Sequence, residues 1–404
     1  MNALLLLLAP LAHGHAGADF TAVDLEREDA IETGFGLLLE ESDGWHWVCH
    51  EAITTSDAII TPRYSTSPTG TWLAVVPDVT QAREEAQPVY RSEAGCSWDP
   101  VTGLDDQAVS DVLFIDEDTA IATTAEQREG RSGGIFRSTD GGLTFSDVHP
   151  LDEGRLVLRV LASGQTVYAA SFVPESPSQA ELHVSTDAGA TWTDLPLDLS
   201  DLAGSQTTLA VRPVIARGDE VWLAVNVLTG HVLLHSDDRG ASTTTVLVAD
   251  GTLLDGAIAT DGSVWMLEGP RGAWHSTDGV DFEPVEAPPA IGLSAFSADA
   301  TLATSAAFTG GLTYQLTADG TATIGVQGSD LVGPLACDPG TEQHDICEPL
   351  WEQVLLAQPK GPTEETDTTD DTDLDGSEGC GCATSSAPAW VALLPLLLVW
   401  RRRR

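Results

Sequence analysis

The chain has 404 residues, with 62 Asp plus Glu against 18 Lys plus Arg and a formal charge of −44 at pH 7. That balance excludes the phosphate backbone of nucleic acid as a partner. A content of 42% hydrophobic residues with 11 Trp suits a packed core, and a single domain of this length calls for an architecture that grows by adding units rather than by thickening one core.

Residues 1–18 read as a secretory signal peptide. Leu4 to Leu8 form a short apolar stretch, and Ala16-Gly17-Ala18 supplies the small residues of a cleavage site. The folded body is expected over 19–357. Within it one pattern, S-x-D-x-G-x-T-W, recurs. Its clear copies are Ser138, Asp140, Gly142 and Phe145, then Ser185, Asp187, Gly189 and Trp192. Ser236, Asp238 and Gly240 keep the polar positions without the aromatic, while Ser276, Asp278 and Gly279 form a copy one residue shorter. Weaker echoes surround Gly44, Gly95 and Gly320.

Each copy follows a short apolar run and precedes another extended stretch, so it is expected to be a hairpin turn. Asp accepts turn amides, Gly takes positive φ, Ser and Thr bond locally, and the aromatic packs between strands. These roles are structural. The glycine markers recur with a period of about 40–50 residues, the size of a propeller blade or solenoid unit. A second series of turns at Gly70, Asp116 to Asp118, Gly164, Gly218, Gly262 and Asp299 gives two hairpins per repeat. Four strands per unit predict an all-β fold, a seven-bladed β-propeller of four-stranded antiparallel blades. Gly44 has no first hairpin evident before it, so the closing blade is expected to combine two strands from roughly 331–357 with two from roughly 31–55.

Past Gln358 the composition changes. Residues 358–378 form an acidic, Thr-rich linker, and 379–404 hold Gly379-Cys380-Gly381-Cys382, an apolar run from Ala387 to Trp400 expected as a short helix, and Arg401 to Arg404. Asp371 to Gly376 matches the first half of a calcium loop, but Cys382 stands where the loop needs a bidentate Glu, so the match reads as composition.

The repeated turns resemble Asp-box motifs, also called BNR repeats, and the body from about 31 to 357 resembles sialidase- and sortilin-like propellers. That resemblance implies a ligand face opposite the box turns. The tail resembles the MYXO-CTERM sorting signal, which implies cleavage near Cys380 or Cys382, lipid modification at a Cys, and display at the cell surface or outer membrane, or release outside the cell. A plain membrane anchor through the C-terminal segment is the alternative.

Cys49, Cys96, Cys337 and Cys347 remain as disulfide candidates with three pairings open; 337 with 347, which bracket the extra hairpin of the closing blade, and 49 with 96, at the first two weak copies, is the expected one. No cofactor is expected, and no CxxC pair or His cluster at ligand spacing signals a metal. The sialidase chemistry implied by the resemblance needs three Arg, a Tyr–Glu pair and an Asp. Here Arg63 follows Pro62 in the wrong order, Arg212 sits mid-chain, and Tyr90 and Tyr314 lie on strands entering boxes. The expected function is therefore a monomeric, non-catalytic binding or scaffold propeller for an extracellular protein or glycan. The alternative is a glycoside hydrolase, sialidase-like or using two carboxylates, acting on extracellular glycans. Arg83, Arg128, Arg131 and Arg271, in loops opposite the boxes, are candidates for binding an anion, against local pairing with neighbouring Glu.

Overall fold

The computed structural model describes residues 22–357 except 28, 54–61, 77–87, 174–175, 200–207, 228–229, 270–271, 286–292, 298–301, 306–311 and 318–320. The signal peptide, linker and tail, with Cys380 and Cys382, lie outside the described residues, as do Arg83 and Arg271. Among the described residues no helix is long and apolar enough to cross a membrane.

Six four-stranded antiparallel sheets follow one another along the chain. We call them blade 1 (63–100), blade 2 (109–150), blade 3 (156–196), blade 4 (208–249), blade 5 (252–285) and blade 6 (293–324). The first strands of successive blades pack on one another, which makes them the inner ring, and the fourth strands are outermost. Middle strands read as continuous apolar runs because both faces are covered by neighbouring blades. Ala120–Thr124 is buried at every position, and in Glu220–Val227 the side chains of Val221, Trp222, Leu223, Ala224 and Val225 are fully buried.

The structure corrects the expectation of seven four-stranded antiparallel blades. It is a six-bladed β-propeller as regards four-stranded antiparallel sheets, and the remaining strands form a five-stranded mixed sheet of another kind. Ala22–Arg27, Ala30–Thr33, Gly36–Glu41 and Gly44–Val48 pair in sequence, and Leu331–Pro334 adds beside the last of them in parallel. The N-terminal stretch thus supplies the hairpin that sequence reading found missing. The later half of 331–357 is helical instead of paired: a π-turn spans Gln343–Cys347 and an α-helix Glu348–Ala357. Buried Gln343, Cys347 and Val354 and half-buried Ile346, Leu350 and Trp351 recur at three- and four-residue spacing, a period that a strand cannot bury on one face. Pro349 at the first turn fits that start.

The disulfide pairing is corrected too. Cys49 joins Cys347 and Cys96 joins Cys337. The expected hairpin around Pro339-Gly340 does not form, and the segment after blade 6 folds back along the closing sheet and blade 1. Leu335 N and Gln343 Nε2 both donate to Trp47 O at 2.9 and 2.6 Å, and Gln343 N donates to Cys96 O at 3.2 Å. Each bridge therefore ties the segment that follows blade 6 to an early part of the ring, Cys347 beside the closing sheet and Cys337 to blade 1.

Candidate functional site

The repeated turns are built alike. In blade 3, Ser185 Oγ donates to Asp187 Oδ1 at 2.7 Å and accepts Gly189 N at 2.8 Å, while Asp187 accepts Thr191 N and Oγ1 at 2.8 and 2.7 Å. Ser138 and Asp140 repeat this in blade 2, and Ser236 and Asp238 in blade 4. The shorter copy adapts by one residue: Ser276 Oγ accepts Gly279 N, and Asp278 accepts Val280 N and Asp281 N. These turns are joints between blades. Arg91 Nε donates to Gly141 O, Arg137 Nε to Ala188 O and Trp222 Nε1 to Gly279 O, each at 2.8 Å and each from the preceding blade. Gly189 sits at φ 78°, and a Cβ there would lie 2.3 Å from Ile121 Cδ1 of blade 2. Phe145 is buried, whereas Trp192 is half-buried and donates Nε1 to Gly189 O at 3.1 Å.

The inner ring carries a second set of joints, to which the second strand of the closing sheet adds Glu32. Glu32 accepts Tyr64 N at 2.6 Å, Asp111 accepts Val160 N at 2.9 Å and Asp255 accepts Phe296 N at 2.9 Å, in each case from the next unit round the ring. Ser65 Oγ does the same for Phe114 N at 3.0 Å. Backbone bulges between Val157 and Val160 and between Leu293 and Phe296 accompany two of these contacts, where a displaced amide needs a partner outside its ladder. Arg159 of blade 3 pairs with Asp255 of blade 5 at 2.5 Å, across one intervening blade. Burial pushes the Asp111 carboxyl up, against the pull of Arg63 and Arg159. Burial likewise raises the Tyr64 phenol well above its ordinary range, with Glu32 and Glu51 adding to it.

At the rim opposite the repeated turns, the loop joining the second and third strands of blade 2 holds Arg128 and Arg131. Arg128 folds onto its own loop, with Nε and Nη2 on the buried Glu126 carboxylate at 2.8 and 2.5 Å and Nη2 also on Asp106 O. Arg131 Nη1 donates to Asp106 O at 2.9 Å, and Arg131 Nη2 stands 3.8 Å from the Asp106 carboxylate. Arg212 turns inward to Leu253 O and Leu254 O at 2.7 and 2.5 Å.

One grouping was not legible from spacing. His149 of blade 2 meets His183 and Asp194 of blade 3, with all three ligating atoms within 4.8 Å of one another. These residues lie on three strands of two blades, so no local motif marks them. Burial lowers the His183 pKa despite its hydrogen bond to the Asp194 carboxylate.

No protein-family model matches the sequence, and no curated protein matches it. Solved structures do. A puromycin-hydrolyzing peptidase of Mycobacterium tuberculosis is 13% identical with a TM-score of 0.53 over 80% of this chain and 56% of its own. The fold is a β-propeller. YCF48 from Cyanidioschyzon merolae is 14% identical, with a TM-score of 0.48 over 70% of this chain and 91% of its own. The GH74 enzyme of Niastella koreensis is also 14% identical, with a TM-score of 0.41 over 77% of this chain and 66% of its own. This propeller chain spans little more than half of the peptidase's length. At such identities likeness extends to fold alone, and one fold carries many functions.

Proposed function

We propose that the chain is an exported propeller, displayed at the cell surface, that binds an extracellular protein or glycan and performs no chemistry of its own. The observation that carries this reading is the engagement of the carboxylates at the joints between neighbouring units. Glu32, Asp111 and Asp255 each hold a backbone amide of the neighbouring unit, so these groups serve the geometry of the ring. Two disulfides joining distant parts of the chain support folding in an oxidising compartment. The acidic linker, Cys380, Cys382, the apolar run and the terminal Arg cluster support display through the tail. Recognition falls to the rim opposite the repeated turns, carried by a monomeric ring.

A glycoside hydrolase is the second reading, favoured by the raised Asp111 pKa, since an inverting or retaining enzyme needs a carboxyl that stays protonated. It ranks lower because Asp111 Oδ2 is tied to Val160 N. The test is a glycan array with the oxidised protein, reading retention and released reducing ends together, beside a pull-down of surface proteins. Saturable retention without sugar release is expected. Sugar release that Asp111→Asn abolishes would overturn the proposal in favour of the hydrolase.

A further inference from the structure

His149 Nε2, His183 Nδ1 and Asp194 Oδ1 form a small triangle with sides of 3.2 Å between the two imidazoles, 2.9 Å from His149 to Asp194 and 2.7 Å from His183 to Asp194. The supporting groups fix the rings. His183 is fully buried, and its other nitrogen, Nε2, lies 2.8 Å from Ser171 Oγ. Ser171 Oγ is in turn held by Arg155 Nη1 at 3.1 Å, and Arg155 by Gln179 O at 2.8 Å and Glu181 at 2.9 Å. His149 stacks on Trp192, with ring centroids 6.1 Å apart and planes 30° from parallel. An oxygen on the far nitrogen of an imidazole is the arrangement that orients a metal-ligating His.

We propose that these three atoms form a binding site for a divalent transition-metal ion, with zinc as its simplest occupant. An ion about 2.0–2.1 Å from each atom would sit roughly 1 Å off their plane; the 3.2 Å side is near the edge of about 3.3 Å of a tetrahedral shell of that radius, and the two sides to Asp194 are shorter and must open by roughly 0.5 Å when the ion binds. Two imidazoles and one carboxylate select zinc, cobalt, nickel or copper over calcium and magnesium, which take oxygen shells. Asp194 is exposed and His149 half-buried, so one side of the site faces solvent and leaves a position for water or an external ligand. Protons can hold the same triangle with two N–H groups on one carboxylate oxygen or with one imidazole donating to the other, satisfying the contacts pairwise. A cation accepts all three lone pairs at once. It also joins the outermost strand of blade 2, Ser146–Pro150, to the two outer strands of blade 3, Ser176–Ser185 and Thr193–Pro196.

The experiment is a cobalt(II) titration of the full metal-free protein followed by visible d–d absorption, with zinc as competitor. The site predicts one saturable cobalt per chain, displaced by zinc, and affinity more than about 100-fold weaker in both His149→Gln and Asp194→Asn. Zinc is expected to raise the thermal midpoint of the parent and of neither variant. Asp194 is exposed, so Asp194→Asn keeps the test decisive if His149→Gln does not fold. Absence of a d–d band, or a band that persists unchanged in the folded variants, as binding to the acidic surface or to other His would give, would overturn the site and leave the triangle a proton-linked packing contact.

Discussion

At the scale of the residue, the repeated Ser and Asp side chains act as backbone partners. Asp187 is held below the ordinary carboxylate range by the Thr191 amide first, then by hydroxyls of Thr191 and Ser185. For Asp140 burial pushes upward and is outweighed by the Thr144 and Ser138 hydrogen bonds. Asp238 and Asp278 are lowered by the same kind of contact, from Ser242 and Asp281 respectively. A carboxylate whose pKa is lower folded than unfolded lends stability that is complete above the unfolded value, about 4, and is lost as pH falls through the folded value. Urea denaturation is thus expected to show stability falling from about pH 4 downward, less steeply when Asp140 and Asp187 are both replaced by Asn. Ser185→Ala should cost about 1–2 kcal/mol at neutral pH, because it strands the buried Gly189 amide. These turns were legible because every partner lies within eight residues. The His149, His183 and Asp194 grouping was not, since it exists only once two blades are side by side.

At the scale of the element, a repeated turn has two jobs, closing its own hairpin and seating on the blade before it. Two glycines of blade 3 separate them. Gly164, at φ 61°, has open space where a Cβ would go, whereas Gly189, at φ 78°, faces Ile121. Gly164→Ala is expected to cost about 1 kcal/mol for the left-handed backbone alone. Gly189→Ala should cost more by about 1–3 kcal/mol, because Ile121 must be displaced within a packed joint. Thermal unfolding of both variants checks the order. Turn chemistry made the four-stranded blades readable. Two elements escaped it. Ala22–Arg27 alternates Val, Leu and charged residues without an adjoining turn motif, and Glu348–Ala357 is helical in a stretch assigned to strands by position rather than by period.

At the scale of the whole molecule, the ends of the ring are held by covalent links where the strand arithmetic of the sequence fails. The bridges span 298 and 241 residues. Crosslinks closing loops of that length remove much of the unfolded chain's freedom. Replacing Cys49 and Cys347 together by Ser should lower the unfolding free energy by about 2–5 kcal/mol, measured by denaturant titration of the purified protein. Pairing was illegible because four cysteines permit three connectivities and only the fold-back of residues 335–347 decides among them. The last segment of the ring is bonded to its first, and the proposed binding role rests on that closure forming in an oxidising compartment. The most direct test of that closure is peptide mapping, without reduction, of the protein recovered from the cells that make it. Linked peptides joining Cys49 to Cys347 and Cys96 to Cys337 are the predicted result. Four free thiols, or links joining Cys49 to Cys96 and Cys337 to Cys347, would contradict it.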